Sequence, residues 1–313
     1  TIVAAALIAL AALTATGCAK KRSANSIRIG CLTGHVIPIV AEHNGYLAEQ
    51  GLSNVEIFVF GGGPAEIEAF TSGDLDVILT GDLPAYNGIV NGLDLRFIGS
   101  YSASYKSNAL IVRDDAGIAT FADLRGKRLA VPFGTNIQSL AYEYLAAGGL
   151  TADDATVINL SCADAVNALK ARDVDAIVVW NPWVQLAYKE EGITVLSDTS
   201  DFRNFVCPIS TSAAFLDAHG DTIQKVLAAF DKAATWITAN KAAAAQIAAD
   251  YYQISDVSSI LLGLEDNDIS IKLTDDKVDG LRKGAVKNYE FGIVKNKIDV
   301  DKYLHQDLTA SFK

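Results

Sequence analysis

The chain has 313 residues, 50% of them hydrophobic, and a formal net charge of −11. That apolar content supplies a sizeable core and excludes disorder over most of the length. The acidic balance, without clustered Lys or Arg, excludes nucleic acid as a partner, because phosphate neutralisation needs a basic face.

The first segment is an apolar run over residues 2–13, followed by small residues up to Cys18. This is the layout of a signal peptide, and the run is too short to cross a bilayer as a helix. Residues 13–18, LTATGC, resemble a bacterial lipobox, so 1–18 is expected to be a lipoprotein signal peptide ending at a lipidated Cys18. Residues 19–26, with Lys20, Lys21 and Arg22, read as a polar tether. The alternative for the run is a buried hydrophobic helix. Export would place the protein outside the cytoplasm, held to the cell membrane by lipid. Cys31, Cys162 and Cys207 are an odd, widely spaced set that matches neither a disulfide framework nor a zinc site, and at most one disulfide can form among them.

From Ile27 onward, short β-like runs alternate with helical segments: SIRIGCL, VIPIVAEHNGYLAEQG, VEIFVF, PAEIEAFTSG and LDVILTG. The same order returns with KRLAVPF, NIQSLAYEYLAAGGL, ATVINLS, ADAVNALKARD and VDAIVVWN. Such alternation predicts parallel strands with crossover helices, here in two successive units. Beyond Phe215 the pattern turns helical and Ala-rich. No low-complexity linker separates the units. The expected division is therefore 27–110 plus 211–313 as one lobe and 111–210 as the other, with crossings near 110 and 210 forming a hinge.

Four motifs occur in a telling order: GYLAEQGL at 45–52, GGGPAEIEAFTSGDLDV at 61–77, DLRGKRLAVPFGT at 123–135 and ALKARDVDAIVVWNPW at 168–183. Each alone is weak, but together they make the chain similar to the type II periplasmic binding proteins of the taurine, alkanesulfonate, nitrate and thiamine-precursor group. The resemblance implies an α/β fold of two lobes, each with a mostly parallel central sheet flanked by helices. It also implies the solute-binding component of an ABC importer, a monomer that hands a small sulfonate, amino-sulfonate or nitrogen heterocycle to a permease served by a separate ATPase subunit. Neither catalysis, a cofactor nor a metal is implied.

Ligands of open α/β sheets sit beyond the carboxyl ends of strands, where helix N-termini converge. The first such loop carries Thr33, Gly34 and His35; His35 suits an acidic ligand, a solvent-exposed or capping role being its alternative, and capping is the alternative for Thr33. Gly62 and Gly63 precede Pro64, either a close backbone approach to ligand or a plain tight turn. Asp82 follows the third strand, where it either meets a cationic ligand group through a charge-assisted hydrogen bond worth about 1.5–3 kcal/mol or caps the next helix. In the second unit Thr135 and Asn136 are the strongest polar candidates. Trp180, Asn181 and Trp183 end the next strand, the tryptophans either stacking on a ligand or packing in the fold. Ser102, Ser104, Tyr105 and Cys207 lie near the expected crossings as hinge or cleft-wall residues.

An enzyme needs a nucleophile with its base, paired carboxylates or metal ligands, and His35, His43, His219 and His305 form no such pattern. Two rival functions share the layout. One is a ligand-sensing lipoprotein without import, and the other a pyrimidine-precursor synthase of the same fold, against which the signal peptide argues.

Overall fold

The computed structural model describes residues 26–104, 106–187, 189–200 and 202–312. The expected signal peptide, Cys18, the tether up to residue 25 and Tyr105 lie outside the described residues.

The chain opens with β1 (Ser26–Leu32), α1 (Ile37–His43), α2 (Tyr46–Glu49), β2 (Asn54–Phe60), α3 (Gly63–Thr71), β3 (Val77–Leu79), α4 (Asp82–Val90) and β4 (Leu95–Ser104). It continues with β5 (Asn108–Arg113), β6 (Arg128–Val131), α5 (Asn136–Ala147), β7 (Thr156–Asn159), α6 (Cys162–Lys170), β8 (Ala176–Trp180), α7 (Trp183–Ala187) and β9 (Ile193–Asp198). Then come β10 (Phe205–Ser212) and the helices α8 (Ala213–Ala239), α9 (Lys241–Tyr252), α10 (Val257–Glu265) and α11 (Asp275–Glu290).

The strands form two five-stranded sheets, β2-β1-β3-β10-β4 and β7-β6-β8-β5-β9. In the first, β1 is parallel to β2 and β3, and β10 is antiparallel to β3 and β4. In the second, β6 is parallel to β7 and β8, and β5 is antiparallel to β8 and β9. Each sheet thus has one reversed strand, and that strand is the one entering from the other unit. The chain leaves the first sheet after β4, joins the second through β5, and returns through β10. The expected crossings near 110 and 210 fall inside β5 and β10; the stretches that pass between sheets are 104–108 and 198–205.

Each sheet is covered by helices on both faces, so its strands alternate between two cores rather than between core and water. Leu129, Val131, Ala176 and Val178 enter one core of the second sheet, while Ala130, Ile177 and Val179 enter the other. In the first sheet Ile27, Ile29 and Cys31 pack with Ile223, Val226 and Phe230 of α8 and with the Ala face of α9. Full burial of each such Ile, Val or Phe contributes about 1.5–3 kcal/mol. The Ala-rich C-terminal helices therefore complete the first sheet's core. No described helix is long and apolar enough to cross a membrane.

Candidate functional site

The two units meet around a cavity. Pro182 Cδ lies 3.3 Å from where a side chain on Gly34 would begin, Asn136 Oδ1 lies 3.4 Å from that point on Gly81, and Pro64 Cγ lies 3.0 Å from it on Gly134. Each of these contacts joins a loop of one sheet to a loop of the other. The cavity has a volume of about 120 Å³.

Of the residues expected to hold ligand, Thr33, Gly34, His35, Gly63, Thr135, Asn136, Trp180 and Asn181 line it. Three helix starts converge here: Gly63 begins α3, Gly81 is the N-cap of α4, and Thr135 and Asn136 are the N-cap and first residue of α5. None of the three has a side-chain N-cap bond. The Thr135 hydroxyl donates instead to the Pro132 carbonyl at 2.7 Å. Free N–H groups at helix starts attract negative charge.

His35 is neutral here. Burial pushes its pKa down to about 3, and Nδ1 accepts the Leu32 N–H at 3.0 Å, which leaves the ring proton on Nε2. Its ring packs against that of Tyr101 in a tilted contact, centroids 4.1 Å apart and planes at 43°, and its carbonyl accepts from the Tyr252 hydroxyl at 2.8 Å. Gly34 has φ +98°, a left-handed conformation that favours glycine.

Gly62, Trp183, Ser104 and Asp82 do not line the cavity. Gly62 is the α3 N-cap behind the wall. Trp183 packs in a core of the second sheet, and Ser104 knots the first crossing by donating to the Asp266 carbonyl at 2.7 Å while accepting from the Lys106 and Ser107 N–H groups. Asp82 Oδ1 accepts the Leu83 N–H at 2.8 Å at the start of its own helix, as the capping alternative has it, and its Oδ2 takes Arg203 Nη1 at 2.9 Å, with both side chains buried. The carboxylate expected to meet a cationic ligand is thus occupied by an arginine 121 positions along the chain. No Asp, Glu, Lys or Arg lines the cavity among the described residues.

Ser102 and Cys207 line the cavity too, together with Tyr101, Ser107, Asn108 and Phe205, which the sequence does not single out. Ser259, Ile260 and Gly263 of α10 form one wall, for which the helical, Ala-rich pattern beyond Phe215 gives no sign. Asn108 alone carried a signal, being a polar residue at the head of an apolar strand. Polar atoms at this end, Asn108 Nδ2 and Asn181 Oδ1 among them, are buried without a hydrogen-bond partner.

Burial pushes the Cys207 thiol up to about 12, so it is no activated nucleophile, and neutral His35 already spends its acceptor nitrogen on the backbone. Among the described residues no three His, Cys, Asp or Glu side chains are grouped to hold a metal. Cys31, Cys162 and Cys207 are free thiols.

A chain from Escherichia coli strain K12, named as an aliphatic sulfonates-binding protein, is 29% identical over 233 residues, 74% of this chain and 73% of that one. A similarly named chain from Bacillus subtilis strain 168 is 26% identical over 283 residues, 88% of this chain and 84% of its own length. The crystal structure of the periplasmic aliphatic sulphonate binding protein of Escherichia coli superposes with a TM-score of 0.80 at 25% identity, covering 92% of this chain and all of that one. This agrees with the two-lobed fold of type II periplasmic binding proteins. The family described as NMT1/THI5 like matches residues 33–244, from the first cavity loop into the C-terminal helices, and the chain belongs to it.

Proposed function

We propose that this protein is the extracytoplasmic solute-binding component of an ABC importer, and that it holds a small organic sulfonate in the cavity between its lobes for delivery to a permease. The observation that carries this reading is the meeting of three helix starts, α3, α4 and α5, none capped by its N-cap side chain, at a cavity lined by no charged side chain. Each helix start presents roughly half a positive charge, and although Asp82 Oδ1 takes the Leu83 N–H in α4, the starts of α3 and α5 keep N–H donors that suit an oxyanion without a counter-cation. Thr33 and Asn136 add neutral polar groups, while Trp180, Phe205 and Ile260 give an organic tail apolar surface. Since Asp82 is held by Arg203, it neither repels an anion nor attracts an amine.

The names of the relatives support the sulfonate over the heterocycle. Export and lipid anchoring through Cys18 fit the same reading, as do a permease and an ATPase as partners.

Isothermal titration of the soluble chain starting at Ser26 with ethanesulfonate, taurine, propionate and an aminopyrimidine tests the proposal. The sulfonates are expected to bind with Kd in the micromolar range or below, and propionate at least about tenfold more weakly. Binding of the aminopyrimidine with no heat from either sulfonate would overturn it.

A further inference from the structure

Arg203 lies in the second crossing and touches a carboxylate from each lobe. Its Nη1 donates to Asp82 Oδ2 on α4 at 2.9 Å, and its Nε to Glu143 Oε1 on α5 at 3.2 Å. The three side chains are 1–6% exposed. The guanidinium also lies 3.8 Å from the centroid of the Phe205 ring, which lines the cavity. On the outer side α11 closes over the pair. A side chain at Gly284 would begin 2.5 Å from Asp82 Oδ2 and 2.9 Å from Arg203 Nη1, and the neighbouring Asn204 Nδ2 donates to Asp276 on α11 at 2.7 Å.

An ion cluster that drew its members from one lobe would not resist separation of the lobes. This one draws them from α4, α5 and the strand-to-strand passage between the lobes. α4 and α5 are also two of the helices whose starts face the cavity.

We propose that Arg203 is an interlobe latch, a positioning residue that ties α4 to α5 and holds the two helix starts at their closed separation. Moving the lobes apart strips a buried carboxylate from its only guanidinium, and an uncompensated buried charge is strongly unfavourable. Removing one carboxylate's charge lowers that barrier to opening. The latch rests on the solute-capture reading only for its consequence, the retention of ligand; its effect on lobe separation does not depend on what is bound.

The test places spin labels on two exposed positions, Glu56→Cys in β2 and Asn167→Cys in α6, in a Cys207→Ser background, and measures their distance distribution by pulsed electron paramagnetic resonance. Buried Cys31 and Cys162 stay unlabelled because their thiols are inaccessible. With the triad intact a single short distance is expected. Glu143→Gln and Asp82→Asn should each add a longer-distance population and raise the off-rate of ethanesulfonate about tenfold. An unchanged distribution in both variants, with circular dichroism matching the parent, overturns the latch. So does loss of folding in both, which would make the triad a requirement of the fold. If ethanesulfonate fails to bind the intact protein while the variants still open, the sulfonate reading fails and the latch stands.

Discussion

Arg128 holds Asp175 with its backbone N–H at 2.9 Å and its Nε at 3.2 Å, both to Oδ2, and with its Nη2 at 3.0 Å to Oδ1. Arg28 repeats this grip on Asp76 in the first sheet at 2.9, 3.3 and 3.1 Å. In both units Nη2 also donates to the carbonyl three residues before the aspartate, Gly73 in one and Arg172 in the other. The same clamp fastens the first strand of each unit to the turn entering the third, which makes the internal repeat visible at the level of single atoms. The two differ in burial, the Asp76 side chain being 2% exposed and that of Asp175 16%.

That difference sets opposite titrations. Hydrogen bonds from Arg128 pull Asp175 down to about 2, whereas burial raises Asp76. Because the folded pKa of Asp175 is depressed, its contribution is complete above its unfolded value of about 4 and is lost as pH falls towards 2. Asp175→Asn is expected to cost about 1–3 kcal/mol at neutral pH and to flatten the acid limb of stability between pH 4 and 2. Urea midpoints across that window check it.

Glu66 is a buried acid whose pKa burial pushes up to about 8; its Oε1 accepts the Leu79 N–H at 3.1 Å and its Oε2 has no partner. A raised folded pKa means that its stabilising contribution is full below its unfolded value and is lost as pH rises through 8. His35 gives the opposite slope, but only below about pH 6.5. Between pH 6.5 and 8 stability should therefore fall by at most about 1.4 kcal/mol per pH unit, and Glu66→Gln should remove most of that slope. A Glu66→Gln curve as steep as the parent's would show the carboxyl is already ionised.

Two adjacent glycines separate a close approach from a free turn. A side chain at Gly63 would begin 2.4 Å from Pro84 Cγ and 2.8 Å from Thr80 Oγ1, while at Gly62 the nearest atom is Pro64 Cδ at 3.9 Å. Gly63→Ala should cost about 1–3 kcal/mol by overpacking and, by shifting the start of α3, weaken ethanesulfonate binding at least about tenfold. Gly62→Ala should leave both nearly unchanged. Thermal melts and titration of the pair decide between them.

Cys207 lines the cavity with its thiol pushed up to about 12. At pH 8 about one molecule in ten thousand then carries the thiolate. Iodoacetamide should modify it at a small fraction of the rate for free cysteine, and saturating ethanesulfonate should slow it further. Rapid modification at pH 8, read by mass spectrometry, would contradict the burial.

The alternation of β-like and helical runs, the repeat of that order and the motifs from GYLAEQGL to ALKARDVDAIVVWNPW contain the two-lobed α/β fold. They also contain the cavity loops at 33–35 and 135–136. These are local properties: periodicity, glycine placement and turn chemistry depend on neighbours a few residues away. The partner of Asp82 is not local. Its carboxylate at the start of a helix looks the same in sequence whether it faces a ligand, caps its own helix or meets an arginine 121 positions away. Only the return of the chain from β9 to β10 carries Arg203 between α4 and α5. The wall supplied by α10 and the pairing of β10 beside β3 arise in the same way, from where distant segments pack rather than from what they contain.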